Sequence, residues 1–557
     1  MTVNLPSQPL FIQGLLSPVA YPHQVDYVSL VETHISWIFL TGRYAYKVKK
    51  AVDFGYVKAT NISSRLEYCL EEIRLNRRLS NDMYLGVVEI IGPNSSPRIL
   101  EGDFHNHKEL DINSIEVAVK MRQFDDRTLL SKVLLERVRR PICMKSFASE
   151  LAAFHLTVDL ATPGGKYTSI QELFSPIHNN LKVLYSLDLS ETQKSLLIKY
   201  HRWIDIEQQR LQPRFLDRAL KGAIRECHGD LHTANIYLKH DQKLEIFDAI
   251  EFNPSLRWID PISEIAFLVM DIEVHHRSRI AVELLNHWLE QTGDYLGMDL
   301  WRWYSAYRAV VRAKVTALRL SQLKGNSKGY STIEMAEINQ LEYDLEGYLQ
   351  RAKRYQEIGN PVLLLMHGLS GSGKSFISEK LCGRLAAIRL RSDLERKRAF
   401  GCLPLQLKLG SHASPIQNNV IPNLHMLDPY SFEVNQWLFE DYLPELTKNC
   451  LLAGFTTIVD ATFLRFKERD LMSKLANRLK IPMAILACEC SEATAEARLR
   501  ERIHQGTDPS EADLNIRNHQ KDWIEPLNEI ELIRTVRIKE STNIDECLTQ
   551  LSVVLNQ

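Results

Sequence analysis

The octapeptide GLSGSGKS fills positions 368 to 375, between an apolar run from Val362 to Met366 and a stretch of helical spacing that opens at Phe376. Few local sequences restrict a fold as tightly. Glycines at 368, 371 and 373 let consecutive backbone N–H groups turn inward on a phosphate, and the helix that follows adds the positive end of its dipole. In this reading Gly368, Leu369, Ser370, Gly371, Ser372 and Gly373 form the cradle, Lys374 reaches the outer phosphates, and Ser375 offers its hydroxyl to Mg²⁺. Strand, loop and helix in that order predict an α/β nucleotide-binding domain with a parallel sheet.

Three further segments extend the site. FTTIVDATF brings Asp460 to the end of a second apolar strand, the position of an acid that supports the metal, although an aspartate capping the strand end explains it as well. IRLRSDLERKR, residues 388 to 398, puts Asp393 after a short strand, with Arg396 and Lys397 opening a helix. A carboxylate beside cations suits a hydroxyl substrate with an anionic group; a solvated helix start accounts for the same residues. After the strand MAILACEC, Arg498 and Arg502 stand four apart on one helical face, where they suit closure over a transferring phosphoryl group, and Arg500 points elsewhere.

Together GLSGSGKS, RSDLERKR, VDATF and RLRER with DPSEA resemble the small P-loop kinases of the zeta-toxin and gluconate-kinase type, over residues 356 to 557. The resemblance implies a lid whose arginines cover ATP, and an acid after the second strand, Asp393 here, that serves the acceptor hydroxyl. The chain departs from that pattern at His504-Gln505-Gly506, where a further lid arginine is usual.

A second phosphotransfer motif lies upstream, in ECHGDLHTANIYLKHDQKLEIFDAIEF, residues 226 to 252. His228-Gly229-Asp230 followed by Asn235 reproduces the catalytic-loop spacing H-x-D-x-x-x-x-N, which aims Asp230 at an acceptor hydroxyl while Asn235 reaches a metal. IYLKH and KLEIFDA then alternate as a hairpin around His240-Asp241-Gln242 and deliver Asp248 beside Asn235 as a second Mg²⁺ ligand. A polar turn capped by Asp230 and His232 explains single residues but not both spacings. His228 and His232, four apart without a third ligand, read as hydrogen-bonding residues and not as a zinc site.

Such a site also needs a strand lysine and a helix acid. HISWIFLTG and RYAYKVKKA read as a hairpin in which Tyr44-Ala45-Tyr46-Lys47 parallels V-A-I-K, so Lys47 is the candidate for the phosphates and Lys49, on the same face, the runner-up. The helix SSRLEYCLEEIRLNRRL offers Glu71 and Glu72, of which Glu72 is assigned to Lys47. Lysines on an edge strand are the plain alternative.

No G-x-G-x-x-G roof precedes Lys47. The set ETHISWIFLTGRYAYKVKKAVDFG, CLEEIRLNRRL, CHGDLHTANIYL and FDAIEFNPSLRWID instead resembles the aminoglycoside-phosphotransferase-like kinases, which lack that roof. Nearly end to end, the chain is similar to bacterial two-domain proteins described as bifunctional aminoglycoside phosphotransferase/ATP-binding proteins. This implies an α+β bilobal protein-kinase-like domain, with its N-lobe at 1–118 and its C-lobe at 119–355, followed by an α/β P-loop NTPase-type kinase domain at 356–557. It assigns Asp230 as base, Asn235 and Asp248 to Mg²⁺ and Lys47 to ATP, and it expects Asp260 to brace the catalytic loop. It licenses no antibiotic substrate. Glu251 is read as an addition to the metal site, as bait for a cationic acceptor, or as a partner of Arg257. Arg308, Arg312 and Lys314 share a helical stripe that suits either phosphates or the N-terminal acids.

Composition narrows the partners. With 68 basic and 69 acidic residues in 557, the chain gives no electrostatic reason to expect nucleic acid or an anionic membrane. No apolar run reaches membrane-spanning length and no charged leader opens the sequence, so a cytoplasmic location is expected. Nine cysteines form no CxxC pair; even Cys488 and Cys490 lack metal-finger spacing and read as reduced thiols. The reading is an ATP- and Mg²⁺-dependent phosphotransferase with two nucleotide sites, acting on hydroxyl groups of a small molecule. The alternatives are a P-loop domain working as a regulatory ATPase, or phosphorylation of a protein or a nucleic-acid end. Residues 401 to 430 are expected to shape the acceptor side, and nothing in the sequence names the acceptor or sets an oligomeric state.

Overall fold

The strand Tyr44–Lys49 sends alternate side chains into two environments, and that alternation organises the first part of the chain. Tyr46 and Val48 enter one core with Trp37, Phe39, Val88 and Ile90; Ala45 enters another with Cys69, Ile73, Val87 and Val119. Lys47 and Lys49 lie on the face of Ala45 and are buried there. The computed structural model describes residues 9–53, 57–100, 110–136, 142–325, 331–401, 403, 427–505 and 514–556. Most of the expected acceptor segment 401–430 lies outside them. Two compact units result, Met1–Cys143 with Arg225–Ile259, and Met144–Ile224 with Asp260–Gln557.

The first unit is built on an antiparallel sheet of β1 (Ser29–Glu32), β2 (Ser36–Leu40), β3 (Tyr44–Lys49), β4 (Tyr84–Ile91), β5 (Arg98–Ile99) and β6 (Ser114–Arg122), in the order β1-β2-β3-β6-β4-β5. The helix Ile62–Asn76 packs on β4 and β6. Asn61 caps it, accepting from the Ser64 N–H at 2.8 Å. Its buried stripe, Arg65, Cys69, Glu72, Ile73 and Asn76, follows helical spacing yet is largely polar. The sequence from Arg225 adds two short antiparallel pairs, β7 (Arg225–Glu226) with β10 (Trp258–Ile259), and β8 (Ile236–Leu238) with β9 (Leu244–Ile246).

Among the described residues of the second unit seven α-helices, from Met144–Thr157 to Thr332–Arg354, precede a parallel sheet of β11 (Leu363–His367), β12 (Ile388–Arg391), β13 (Thr457–Asp460), β14 (Met483–Cys488) and β15 (Thr535–Ile538), ordered β12-β13-β11-β14-β15. The chain thus joins an α+β kinase-like fold to an α/β P-loop fold. β11 and β14 are buried along their whole length because helices cover both faces of the sheet. The helix Pro261–Val274 is buried almost all round. Among the described residues no helix is long and apolar enough to cross a membrane, and every cysteine is a free thiol.

Helices and sheet of this unit meet along a polar seam. Asn286 donates to the Ala387 carbonyl at 2.7 Å and accepts the Arg389 N–H at 2.8 Å; Glu290 binds the Arg389 guanidinium at 2.9 Å; Arg398 donates to the Glu290 carbonyl at 2.9 Å. Trp301 meets Phe455 edge to face. The packing together expected across residue 356 is therefore hydrogen-bonded as well as apolar.

The stripe Arg308, Arg312 and Lys314 and the acid Asp260 find partners within this unit. Arg308 donates to Ser263 Oγ at 3.1 Å, Arg312 faces Tyr348 and Asp271, and Lys314 donates to Asn180, so this stripe is tied to neighbouring helices. Asp260 caps its own helix through the Ile262 N–H and takes the Arg218 guanidinium in bidentate fashion, at 2.7 and 2.9 Å. Arg218 also reaches Asp294 at 2.7 Å. All three side chains are almost fully buried. Removing the cation leaves two buried carboxylates unpaired, so Arg218→Ala is expected to destabilise the unit by about 3–5 kcal/mol, read as a shifted midpoint in urea or heat. An unshifted midpoint rules the triad out as a stabilising element.

Candidate active sites

In the first unit a line of alternating charges crosses from β3 to the helix and on to the hairpin. Lys47 Nζ donates to Glu72 Oε1 at 2.8 Å and to Asp248; Lys49 donates to the other oxygen of Glu72 and to Glu251. Glu72 is fully buried, and Glu71 turns outward to Arg74 and Arg257. Strand period two brings both lysines to one face, so the runner-up is a second member of the same network. Burial alone would lower the Lys47 pKa, but Asp248 and Glu72 reverse the effect and hold it well above the ordinary lysine value. Lys49 is raised too, with Glu251 and Glu72 outweighing burial. Burial raises the Glu251 pKa. Its carboxylate goes to Lys49, while Arg257 donates to its backbone carbonyl at 3.2 Å, so the contact with Arg257, one of the three readings of Glu251, is made through the backbone.

The hairpin β8–β9 sets the acids. The Phe247 N–H bonds the Asn235 carbonyl at 3.0 Å, which puts Asp248 beside Asn235. Asp248 sits at φ 66°, a left-handed conformation uncommon outside glycine, held by its N–H on the Tyr84 hydroxyl at 3.0 Å and the Ala249 N–H on Asn76 Oδ1 at 2.9 Å. Its carboxylate is 42% exposed. Burial raises its pKa, yet the lysines bring the net shift below the ordinary value. Asn235 Nδ2 donates to the Asp230 carbonyl at 3.0 Å and to Asp230 Oδ2 at 3.3 Å, which leaves Oδ1 as the oxygen for a cation. Oxygen ligands from Asn235 and Asp248 on adjoining elements fit Mg²⁺ with its remaining positions filled by water and phosphate.

The two histidines support the loop. His228 accepts the Asp230 N–H on Nδ1 at 3.3 Å, which makes Nε2 the protonated nitrogen that donates to the Phe247 carbonyl at 2.9 Å. His232 Nδ1 accepts the Ala234 N–H, and its Nε2 lies 3.4 Å from Asp230 Oδ2. Gly229, at φ 91°, has no alternative: a Cβ would meet the Leu256 carbonyl at 2.8 Å.

In the second unit the glycine-rich loop links β11 to the helix Lys374–Leu385. Lys374 curls back and donates to the Gly368 and Leu369 carbonyls, both at 2.9 Å. Burial lowers its pKa, with Asp460 as a partial counterweight. Ser372 Oγ is buried in the loop and has no hydrogen-bond partner among the described residues, which suits a cradle for phosphate. Gly368, at φ 135°, allows the loop to pass β14: a Cβ would meet the Cys488 carbonyl at 2.5 Å. Asp460, at the end of β13, accepts from Ser378 Oγ at 2.9 Å and shares a cavity of about 1240 Å³ with Ser375, Asp393, Arg498 and Arg502. That hydroxyl and carboxylate suit Mg²⁺.

Other placements refine the reading. Arg396 and Lys397 fall in the last turn of the helix Ser392–Ala399 and do not open it; Arg396 lines the cavity. Arg498 donates to the Gly371 carbonyl at 3.3 Å, and Arg500 faces Glu496 in solvent. Two residues that the sequence did not single out also hold the loop. Gln520 Oε1 accepts the Ser370 N–H at 2.8 Å, and Arg517 donates to the Ser370 carbonyl while pairing with Glu492 at 3.0 Å. The only local signal is their three-residue spacing on one helix. Of the departure at 504–506, Gly506 lies outside the described residues.

Two outcomes follow from the charges. Phosphates that replace backbone carbonyls around Lys374 raise its lowered pKa, so nucleotide binding at alkaline pH takes up protons, measured by calorimetry in buffers of different ionisation enthalpy; Lys374→Ala abolishes the uptake. Glu468, on the cavity wall, is pushed from the usual 4.5 to about 7 by burial, against its capping bond with the Arg465 N–H. A raised carboxyl favours the protonated folded state, so its destabilising effect grows as pH rises from about 4.5 to about 7. Glu468→Gln should gain up to ~3 kcal/mol above that window and little below it; equal midpoints for both proteins at pH 8 sink the assignment.

Residues 363–527 match the family described as AAA domain. An uncharacterized protein of Mycobacterium tuberculosis is 25% identical over 376 residues, 68% of this chain and 69% of its own. Among solved structures, the choline/ethanolamine kinase family protein from Mesorhizobium loti matches with a TM-score of 0.33 at 10% identity, over 59% of this chain and 92% of its own. The APS kinase of Mycobacterium tuberculosis, in complex with AMPPNP and APS, matches with a TM-score of 0.26 at 16% identity, over 36% of this chain and 99% of its own.

Proposed function

We propose that the chain is an ATP-dependent phosphotransferase with two nucleotide sites, each passing a phosphoryl group to a hydroxyl of a small molecule. The observation that carries this reading is the meeting of Lys47, Glu72 and Asp248 beside Asn235 and Asp230. A lysine held by a helix acid, two oxygen ligands for a cation and a partly exposed carboxylate form a minimal phosphotransfer set. Magnesium, when bound, neutralises phosphate charge at both sites. Lys47 grips the nucleotide phosphates, Asn235 and Asp248 hold the cation, and Asp230 orients the acceptor hydroxyl and takes its proton.

At the second site the loop 368–375 cradles the phosphates, Ser375 and Asp460 hold the cation, Asp393 serves the acceptor, and Arg498 and Arg502 close over the transferring group. The division into N-lobe 1–118, C-lobe 119–355 and P-loop domain 356–557 belongs to the same proposal. So does a cytoplasmic location, which free thiols suit.

A second reading draws on the P-loop itself. Lys374 is satisfied by carbonyls of its own loop and the Ser370 N–H by Gln520, so the loop is closed on protein partners, as a nucleotide-driven regulator with slow hydrolysis would be. ATP consumption against a metabolite library, with product identified by mass, separates the two. Asp230→Ala should lower one activity by about 10²–10⁴-fold and Lys374→Ala should remove the other. Strong ATP binding without any phosphorylated product favours the regulator, and unchanged turnover and binding in both variants discards the phosphotransferase.

A further inference from the structure

One arginine ties the helical layer of the second unit to the serine and acid beside the glycine-rich loop. Arg389, on β12, is 7% exposed and lines the cavity with Ser375 and Asp460. Its guanidinium works in two directions. Nε and Nη2 donate to Glu290 Oε1 at 3.2 and 2.9 Å, while Nη1 donates to the Ser375 carbonyl at 3.4 Å. Glu290 and Asn286 stand four apart on the helix Ser278–Thr292, so the face that grips the β12 backbone through Asn286 also delivers the carboxylate.

The Ser375 carbonyl has a second suitor. Ser378 is fully buried, and its Oγ lies 3.0 Å from that carbonyl and 2.9 Å from Asp460 Oδ2. A hydroxyl has one proton to donate. With Arg389 on the carbonyl, the Ser378 proton is released to Asp460 and fixes the direction of that carboxylate. Charge follows the same path. Burial alone would lower the Arg389 pKa, but Glu290, followed by Asp460, reverses the effect, so the guanidinium stands within electrostatic reach of the acid. Glu290 is the group that keeps this cation from claiming Asp460.

We infer that Glu290 is a positioning residue for the P-loop site: acting through Arg389, it holds Ser375 and Asp460 in place for a divalent cation and keeps the guanidinium charge off the acid. The inference rests on the reading of this cavity as a nucleotide and metal site. Ser375 and Asp460 supply the oxygens, Arg389 and Ser378 set their orientation, and Glu290 neutralises the cation that does so. Glu290 precedes residue 356, so the loop depends on a side chain that the segment 356–557 does not contain. Loss of its charge acts oppositely on the two ligands. A guanidinium freed beside Asp460 repels Mg²⁺ and attracts the phosphates of a nucleotide, whereas a loosened loop weakens both.

The test reads binding and needs no acceptor. AMPPNP is titrated by calorimetry into the full chain at a series of Mg²⁺ concentrations, and into Lys374→Ala to identify the heat that belongs to this loop. Glu290→Gln is expected to raise the Mg²⁺ concentration needed for tight binding about tenfold, as for partners that orient metal ligands, while AMPPNP affinity without metal stays the same or rises. Glu290→Asp restores most of the metal dependence. Because the residue acts through Arg389, Glu290→Gln has no further effect in an Arg389→Met background. Affinities that fall together with and without metal overturn the inference, as does an unchanged Mg²⁺ requirement or an equal effect of Glu290→Gln in both backgrounds. If Glu290→Gln does not fold, Arg389→Lys is read in its place: it keeps the charge but not the fork, the Mg²⁺ requirement is expected to rise, and an unchanged requirement overturns the inference. Failure of the underlying reading shows separately, as a parent protein whose AMPPNP binding is absent or indifferent to both Mg²⁺ and Lys374→Ala, and it removes the inference with it.

Discussion

A cation meant for phosphate must be buried before the phosphate arrives, and a buried ammonium needs a partner in the meantime. The two sites meet this constraint in opposite ways. Lys47 is given carboxylates, Glu72 and Asp248, and its pKa rises. Lys374 is given only neutral carbonyls of its own loop, and its pKa falls. On the proposed reading, nucleotide at the first site would compete with Asp248 for the lysine, and a cation held by Asp248 would remove that competitor. At the second site, on the same reading, phosphates would displace dipoles and not charges, so Lys374 would gain a full counter-charge on binding. The same residue type thus begins over-neutralised in one site and under-neutralised in the other.

Much of this was legible from spacing. The five-residue step from Asp230 to Asn235 and the 13-residue step to Asp248 are local consequences of one loop and one hairpin, so a sequence carries them directly. Strand periodicity placed Lys47 and Lys49 on one face, and helix periodicity distinguishes Glu72, in the buried stripe, from Glu71, which turns to Arg74. The pairing of Lys49 with Glu251 joins residues 202 apart in sequence and has no local signature. Gln520 and Arg517 were invisible for the same reason: the helix Leu514–Trp523 meets the loop only once the sheet is assembled. Arg396 was legible as a cation, but its stacking on Tyr430 is a property of the packed interior.

The polar seam of the second unit shows why the helices before residue 356 and the sheet after it fold together. Asn286 uses both ends of its amide on the backbone around β12, as acceptor for the Arg389 N–H and donor to the Ala387 carbonyl. Such a double contact fixes register as well as distance, since a slip of one residue along β12 would break both bonds. β12 is the edge strand of the sheet, and an edge needs its exposed backbone groups covered. The helix Ser278–Thr292 covers it and adds Glu290 for Arg389. β12 leads directly into the helix that carries Asp393 and Arg396, so the helical bundle fixes the strand from which this part of the cavity wall departs.

The first site can be followed through its charge. Lys47 and Lys49 face Glu72, Asp248 and Glu251, two positive groups against three negative, so the set holds one negative charge in excess. Lys49 and Glu251 cancel each other, which leaves Glu72 oriented by a second lysine without adding a net cation near the phosphates. The remaining excess resides on Asp248, the most exposed member. A site with this distribution attracts a metal before it attracts a polyanion, because the cation meets a carboxylate while the nucleotide alone meets the same carboxylate as repulsion. On the proposed reading, metal and nucleotide would therefore be taken up together, or in that order, and the left-handed backbone at Asp248 keeps the carboxylate presented whether or not Lys47 still holds it.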